Sequence, residues 1–279
     1  MAKLFCRRPL AWSLALSCAA FLIVAGQFFL ATPILEGPDA YSHYQYIRTL
    51  QTEHRFPRLG EGISFISAEA SQPPLFYVLA AIVSAPIPAG DLNNVAPRNP
   101  AGGERQLDVN RNVLYHRPFS GWPHGAELAV RVIEALALAC GLGTVACAVL
   151  LARLYQPEQP LLWLASGLVL ATIPAFAAHM SLVSNDALMV LLSALTLVFL
   201  GAWLRTGGSR WLWLSALSTG LAILTKLDAV GLLGLYAIVV LARTRSLRQM
   251  LPLAASFALL DGWWLVHNIM TYGDPTAML

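Results

Sequence analysis

Charged residues are scarce in this chain, and their scarcity excludes most soluble folds. Asp, Glu, Lys and Arg make up 12% of the 279 residues, whereas 57% are hydrophobic and the mean hydropathy is +0.61. Soluble domains usually contain about 25% charged residues. The formal net charge is only +3, which excludes the strongly basic surface that a nucleic-acid partner would need. The composition therefore predicts an integral membrane protein.

The cysteines form no recognisable metal-binding or redox motif. The four cysteines, Cys6, Cys18, Cys140 and Cys147, all lie in or beside apolar runs. They form no CxxC pair, and no histidine stands at a metal-ligand spacing from them. We interpret them as small hydrophobic residues inside the protein rather than as metal ligands or disulfides.

Long apolar runs fill most of the chain and predict an all-α, polytopic helix bundle with about seven spans. The run 11–31 follows Lys3, Arg7 and Arg8; about 21 apolar residues is long for a signal peptide, so we predict an uncleaved span with a cytoplasmic N-terminus. The other predicted spans are 127–153, 161–178, 186–204, 211–225, 227–242 and 250–267.

Three regions follow from this pattern: 1–31 with the cytoplasmic N-terminus and first span, 32–126 as an extracytoplasmic loop, and 127–279 as the transmembrane bundle. In the loop, apolar residues recur every three positions from Tyr41, which predicts an amphipathic helix at the membrane interface. A second apolar run after Pro74 is short for a crossing. We predict that the segment 75–85 enters the outer leaflet without crossing, because the later arginines then all lie on the side of Lys3, as the positive-inside rule favours.

Polar and ionisable groups then collect at one membrane face, where a site for a charged substrate at the bilayer surface would need them. The groups are Asp39, Asn185, Asp186, Lys226, Asp228, His267 and Asp274. Asp39 either caps the interfacial helix or is functional, and both interpretations stay open. Lys226 interrupts a long apolar stretch, so it either pairs with Asp228 or binds an anion. Arg131 and Glu134 are spaced for an ion pair within one helix.

Four segments resemble the GT-C membrane glycosyltransferases that use polyprenyl-phosphate sugars. They are PDAYSHYQYIRTLQ, SQPPLFYVLAA, VSNDALMVLLSAL, and AILTKLDAVGLL followed by HNIMTYGDP. The chain is most similar to the bacterial branch related to dolichyl-phosphate-mannose protein mannosyltransferases and lipid A aminoarabinose transferases. Relatives usually have a second acid where this chain has Ala40, and an Arg where it has His267. They also continue past the position of Leu279.

The resemblance implies inverting transfer of a sugar from a polyprenyl phosphate to a protein or glycolipid acceptor outside the cytoplasmic membrane. By its motifs, Asp39 is the general base. The implied substrate-binding residues are His43, Gln72, Tyr77, Arg131, Asn185, Asp186, Lys226 and His267. No cofactor is assigned, although a divalent metal is possible. The alternatives are a transporter or flippase of a lipid-linked sugar, which would usually show internal repeats, and a truncated, non-catalytic member.

Overall fold

A computed structural model describes residues 7–60, 69–88 and 122–277, together with 90, 92, 97, 99, 114 and 115. Within these residues all regular structure is helical, so the predicted all-α fold is confirmed. The helices are α1 Arg7–Ala31, α2 Ala40–Glu53, α3 Leu75–Ser84, α4 Gly125–Tyr155, α5 Pro160–Ala171, α6 Pro174–His179, α7 Asp186–Thr206, α8 Ser209–Ile223, α9 Gly231–Thr244, α10 Leu251–Leu260 and α11 Gly262–Tyr272. Short 3-10 turns, Leu227–Val230 and Leu247–Met250, precede α9 and α10.

Helices α4 and α7 form the centre of the bundle. Helix α4 packs against α1, α5 and α7, while α8 packs against both α7 and α10. Gly141 of α4 permits a close approach, because a Cβ there would overlap the Phe21 ring and the Met180 side chain. Small residues at such crossings let membrane helices pack by van der Waals contact, which replaces the hydrophobic driving force that lipid cannot supply.

The helices long enough to cross a membrane are fewer than the seven predicted spans. Among the described residues, four qualify by length and composition: α1 from Arg8, α4, α7, and Leu227–Thr244 with α9. A fifth qualifies if α10 and α11, which are bent by 42° at their junction, count as one span. Helices α5 and α8 have 12 and 15 residues, short of the roughly 20 that a crossing needs. The membrane bundle is confirmed, and the number seven stays a prediction.

Two of the predicted spans are broken. The stretch 161–178 is interrupted before Pro174, which lacks an N–H and begins α6 instead of continuing α5. The stretch 250–267 is interrupted at Asp261, between the end of α10 and the start of α11. The Asp261 side chain is buried there, and neither carboxylate oxygen has a hydrogen-bond partner in the described structure.

The external region contains the two predicted short helices. Helix α2 buries one face, which includes Ala40, His43, Tyr44 and Ile47, and it packs against α3. Helix α3 has 10 residues and is about 15 Å long, too short to cross a bilayer. Its partial insertion stays a prediction, as do the three regions. Most of the irregular loop predicted before residue 125, and also Cys6, lie outside the described residues.

Candidate functional site

The end of α8 fixes the starts of α3 and α7. A helix C-terminus leaves carbonyl groups unpaired, and here two other elements use them. The Leu75 N–H donates to the Leu224 carbonyl at 3.1 Å, and Asn185 Nδ2 donates to the Thr225 carbonyl at 3.3 Å. The first residues of α3 and α7 are thereby held beside Lys226.

Tyr77 of α3 is the hub of the buried part of this site. Its hydroxyl lies 2.8 Å from His43 Nδ1, 3.3 Å from Glu69 Oε2 and 3.4 Å from Asn185 Nδ2. The ring is fully buried and stacks on Tyr46, with 3.8 Å between centroids and 5° between planes. Tyr77 therefore joins α2, α3, α7 and the segment before α3, and three predicted site residues meet at its hydroxyl.

Glu69 is a site residue that the sequence did not identify. Its side chain is only 12% exposed and lies 3.5 Å from His43 Nδ1. Burial raises the pKa of Glu69, the Asp39 carboxylate raises it further, and Lys226 opposes the rise. Glu69 stands in a stretch without helical or strand periodicity, so nothing local distinguished it from a loop acid. The site thus contains a second acid although Ala40 follows Asp39.

His43 is uncharged in this environment. Burial lowers the pKa of His43 to about 4, despite the opposing influence of the Asp186 carboxylate. At neutral pH its contact with Glu69 is therefore not an ion pair. A neutral imidazole can exchange hydrogen bonds with the Tyr77 hydroxyl and needs no counter-ion.

Lys226 pairs with Asp186. Its Nζ lies 2.7 Å from Asp186 Oδ1 and 3.7 Å from Asp228 Oδ2, so Asp228 is the weaker of the two partners. Burial opposes the charge on Lys226, but Asp186 and Asp228 outweigh burial and raise its pKa. The ammonium is therefore charged at neutral pH. It is 22% exposed and carries three N–H donors, so an anion can still approach it.

Asp39 lies immediately before α2, where a capping residue would stand, but its side chain makes no capping hydrogen bond. The residue has φ 56° and ψ 1°, a left-handed conformation that Asp adopts more readily than most residues. Its side chain is exposed, and its charge acts on Glu69. The structure thus removes the main argument for a purely capping role.

Gln72 and Arg131 contribute structural contacts. Gln72 is held through its backbone, whose carbonyl accepts from the Tyr46 hydroxyl at 3.3 Å. Arg131 donates to Glu134 Oε2 at 2.8 Å, as the spacing predicted, and to the Phe29 carbonyl at 2.6 Å. These bonds tie α4 to the end of α1, and Arg131 is not among the groups gathered at Tyr77.

His267 makes its contacts on a different surface. Its ring stacks on Trp264 at 4.9 Å and meets the Phe56 ring edge-on at 5.6 Å. Phe56 belongs to the segment after α2, and Leu59 in that segment donates its N–H to the Tyr272 hydroxyl at 3.4 Å. The segment that follows α2 thus links His267 to that helix.

The assembled groups offer the acids Asp39, Glu69 and Asp186 and the cation Lys226, together with neutral hydrogen-bonding partners. Asn185 is fully buried, and its Oδ1 accepts no hydrogen bond from the described residues, so one acceptor beside Tyr77 is unpaired. Among the residues that the structure describes, no three His, Cys, Asp or Glu side chains are grouped so as to hold a metal ion. The possible divalent metal therefore has no ligand set there.

A comparison with protein families matches residues 124–262, just under half of the chain, to the family described as dolichyl-phosphate-mannose-protein mannosyltransferase. The match includes Asn185, Asp186 and Lys226 but stops short of Asp39 and α3. Comparisons with curated proteins and with solved structures give no significant match. The matched family consists of transferases, which favours an enzyme over a transporter or flippase. The match supports membership of the chain in the GT-C superfamily of membrane glycosyltransferases.

Proposed function

We propose that this enzyme transfers a sugar from a polyprenyl-phosphate donor to a hydroxyl group of a protein or glycolipid acceptor. The observation that carries the proposal is the convergence of α2, α3 and α7 at the end of α8. Lys226 pairs with Asp186 at 2.7 Å, and Glu69 lies 3.3 Å from the Tyr77 hydroxyl that Asn185 also contacts. Asp39 stands at the start of α2, and its charge acts on Glu69. An acid to take a proton and a cation to receive a departing phosphate are the two groups that such a transfer needs.

In the proposed reaction the acceptor oxygen attacks the anomeric carbon of the sugar from the side opposite the phosphate. A bond forms between the acceptor oxygen and the anomeric carbon, and the bond between that carbon and the phosphate oxygen breaks. The configuration at the anomeric carbon inverts. Asp39 takes the acceptor proton, because it is the exposed acid and no capping bond occupies it. The polyprenyl phosphate leaves with the electron pair.

Lys226 is the proposed partner of the donor phosphate. The ammonium lies at the start of α7, 2.7 Å from Asp186 Oδ1, and its remaining N–H donors can bind phosphate oxygens. The neutral group of His43 and Tyr77, with the unpaired acceptor on Asn185, is suited to sugar hydroxyls. Arg131 and His267, also predicted to bind substrate, would act through the helices that they hold in place.

The proposed location is the cytoplasmic membrane, with the N-terminus in the cytoplasm and the active face outside. The arginines favour it: on the predicted topology, those in or just after the last turns of α4, α7 and α9 share the side of Lys3. The Lys226–Asp186 pair lies at the opposite ends of these helices, which on this topology face outward.

Asp39→Asn tests the assignment of the base. The variant keeps the size of the side chain and removes the proton acceptor, so we expect transfer from a polyprenyl-phosphate sugar to fall by about 10² to 10⁴. Asp228→Asn is the matched control, because Asp228 is 66% exposed and only distantly paired. Folded yield is compared by size-exclusion chromatography in detergent.

Glu69→Gln separates the two acids. If Asp39→Asn transfers sugar at the wild-type rate while Glu69→Gln does not, Glu69 rather than Asp39 is the general base. Sugar translocation by the wild-type protein without any transfer would instead favour the transporter interpretation.

A further inference from the structure

Two arginines line a cavity at the end of the bundle away from Asp39. The last turns of α4 and α7 and the start of α8 enclose about 500 Å³. Helix α7 begins at Asp186, and its 21 residues extend about 30 Å at 1.5 Å per residue. The cavity therefore lies about one hydrocarbon thickness from the Lys226–Asp186 pair and is distinct from the proposed transfer site.

Among the described residues, no carboxylate lies within ion-pair distance of the two arginines at this cavity. Arg153 stands in the last turn of α4 and Arg205 in the last turn of α7, where helix dipoles favour cations. Neither guanidinium forms an ion pair with a carboxylate anywhere in residues 7–60, 69–88 or 122–277. Arg153 instead lies over the Trp163 ring at 5.6 Å. Two guanidinium groups at one opening are thus available to a bound anion.

The rest of the lining is mainly apolar. Leu150 and Leu154 from α4 and Val198 from α7 form part of the wall, with Trp211 at the start of α8. Trp side chains favour the membrane–water interface. A ligand that satisfies both parts of the lining needs an anionic group for the arginines and an apolar part for the groove between the helices.

We propose that this cavity binds an anionic phospholipid of the bilayer. The lipid phosphate contacts Arg153 and Arg205, whose planar forks suit phosphate oxygens, and an acyl chain follows the leucines and Val198. Inorganic phosphate would leave the apolar wall in contact with water. A zwitterionic lipid would bring an ammonium group to two guanidinium groups. The positive-inside pattern predicts that this end is cytoplasmic, where basic pockets between helices bind acidic lipid headgroups.

The test is a binding titration of the full chain in neutral detergent with fluorescent phosphatidylglycerol, and with phosphatidylcholine for comparison. We expect selective binding of phosphatidylglycerol, weakened about fivefold by Arg153→Gln and by Arg205→Gln, because an arginine near a membrane surface contributes about 1 kcal/mol. The control is Arg243→Gln or Arg248→Gln, each made as a single variant. Both residues are exposed in or just after the last turn of α9, and each replacement removes equal charge outside the cavity.

Four outcomes would overturn the proposal. They are equal binding of both lipids, equal weakening in the control variants, displacement by inorganic phosphate, and preference for a polyprenyl phosphate over phosphatidylglycerol. If the glutamine variants do not purify as folded protein, competition between lipids on the wild-type protein still decides. A failure of this test leaves sugar transfer at Asp39 untouched, because the two sites lie at opposite ends of α7.

Discussion

Replacement of Lys226 by Met tests whether the ammonium binds the donor or only pairs with Asp186. A hydrogen bond to a charged group contributes about 1.5 to 3 kcal/mol, so donor binding should weaken roughly 10- to 150-fold. The variant also loses the 2.7 Å bond to Asp186, whose side chain is 31% exposed. Water can partly replace the bond there, and the loss of stability should be about 1 to 3 kcal/mol, between the values for exposed and buried pairs.

Asp186→Asn breaks the same ion pair from its other side and is the decisive comparison. It should cost a similar amount of stability, yet donor binding should stay unchanged or become tighter, because a negative charge beside the phosphate is removed. Asp228→Asn should change stability by less than about 1 kcal/mol, since Asp228 is 66% exposed and its contact is 3.7 Å long.

The assay is a titration of each purified variant with a polyprenyl-phosphate sugar, next to a thermal melt in the same detergent. Opposite effects of Lys226→Met and Asp186→Asn on donor affinity, with similar melting temperatures, would support direct contact with the phosphate. Equal weakening of donor binding in both variants would refute it and leave Lys226 as a structural partner of Asp186.

Two further predictions concern protonation and topology. Because burial and Asp39 raise the pKa of Glu69 in the folded protein, the folded state holds this proton more tightly than the unfolded chain does. Stability should fall as pH rises from the ordinary value of 4.5 through the raised pKa. Glu69→Gln should lack this fall in melts taken across that range; identical pH curves for wild type and variant would contradict it. Cysteines introduced at Asn110 and Ser209 in a cysteine-free variant should be labelled from opposite sides of the membrane, and labelling from one side would exclude the seven-span topology.

The composition of the sequence was enough to predict an all-α membrane protein, because only helices satisfy backbone hydrogen bonds within the apolar runs of this chain. The short helices α2 and α3 were also predictable, since periodicity and Pro74 act locally. Helix breaks were not foreseen, because the runs around Pro174 and Asp261 are as apolar as unbroken spans. Length alone did not reveal where those runs would divide.

Much of the candidate site was within reach of the sequence, which placed Asp39, Asn185 and Lys226 on one face by counting crossings. Their actual partners were decided by tertiary structure. Lys226 pairs with Asp186, 40 residues away, more closely than with the nearby Asp228. Glu69 is a site acid because α3 carries Tyr77 and α2 carries His43 to its side. Such contacts depend on how helices that are distant in sequence pack together, and no local sequence pattern shows which of them will pack.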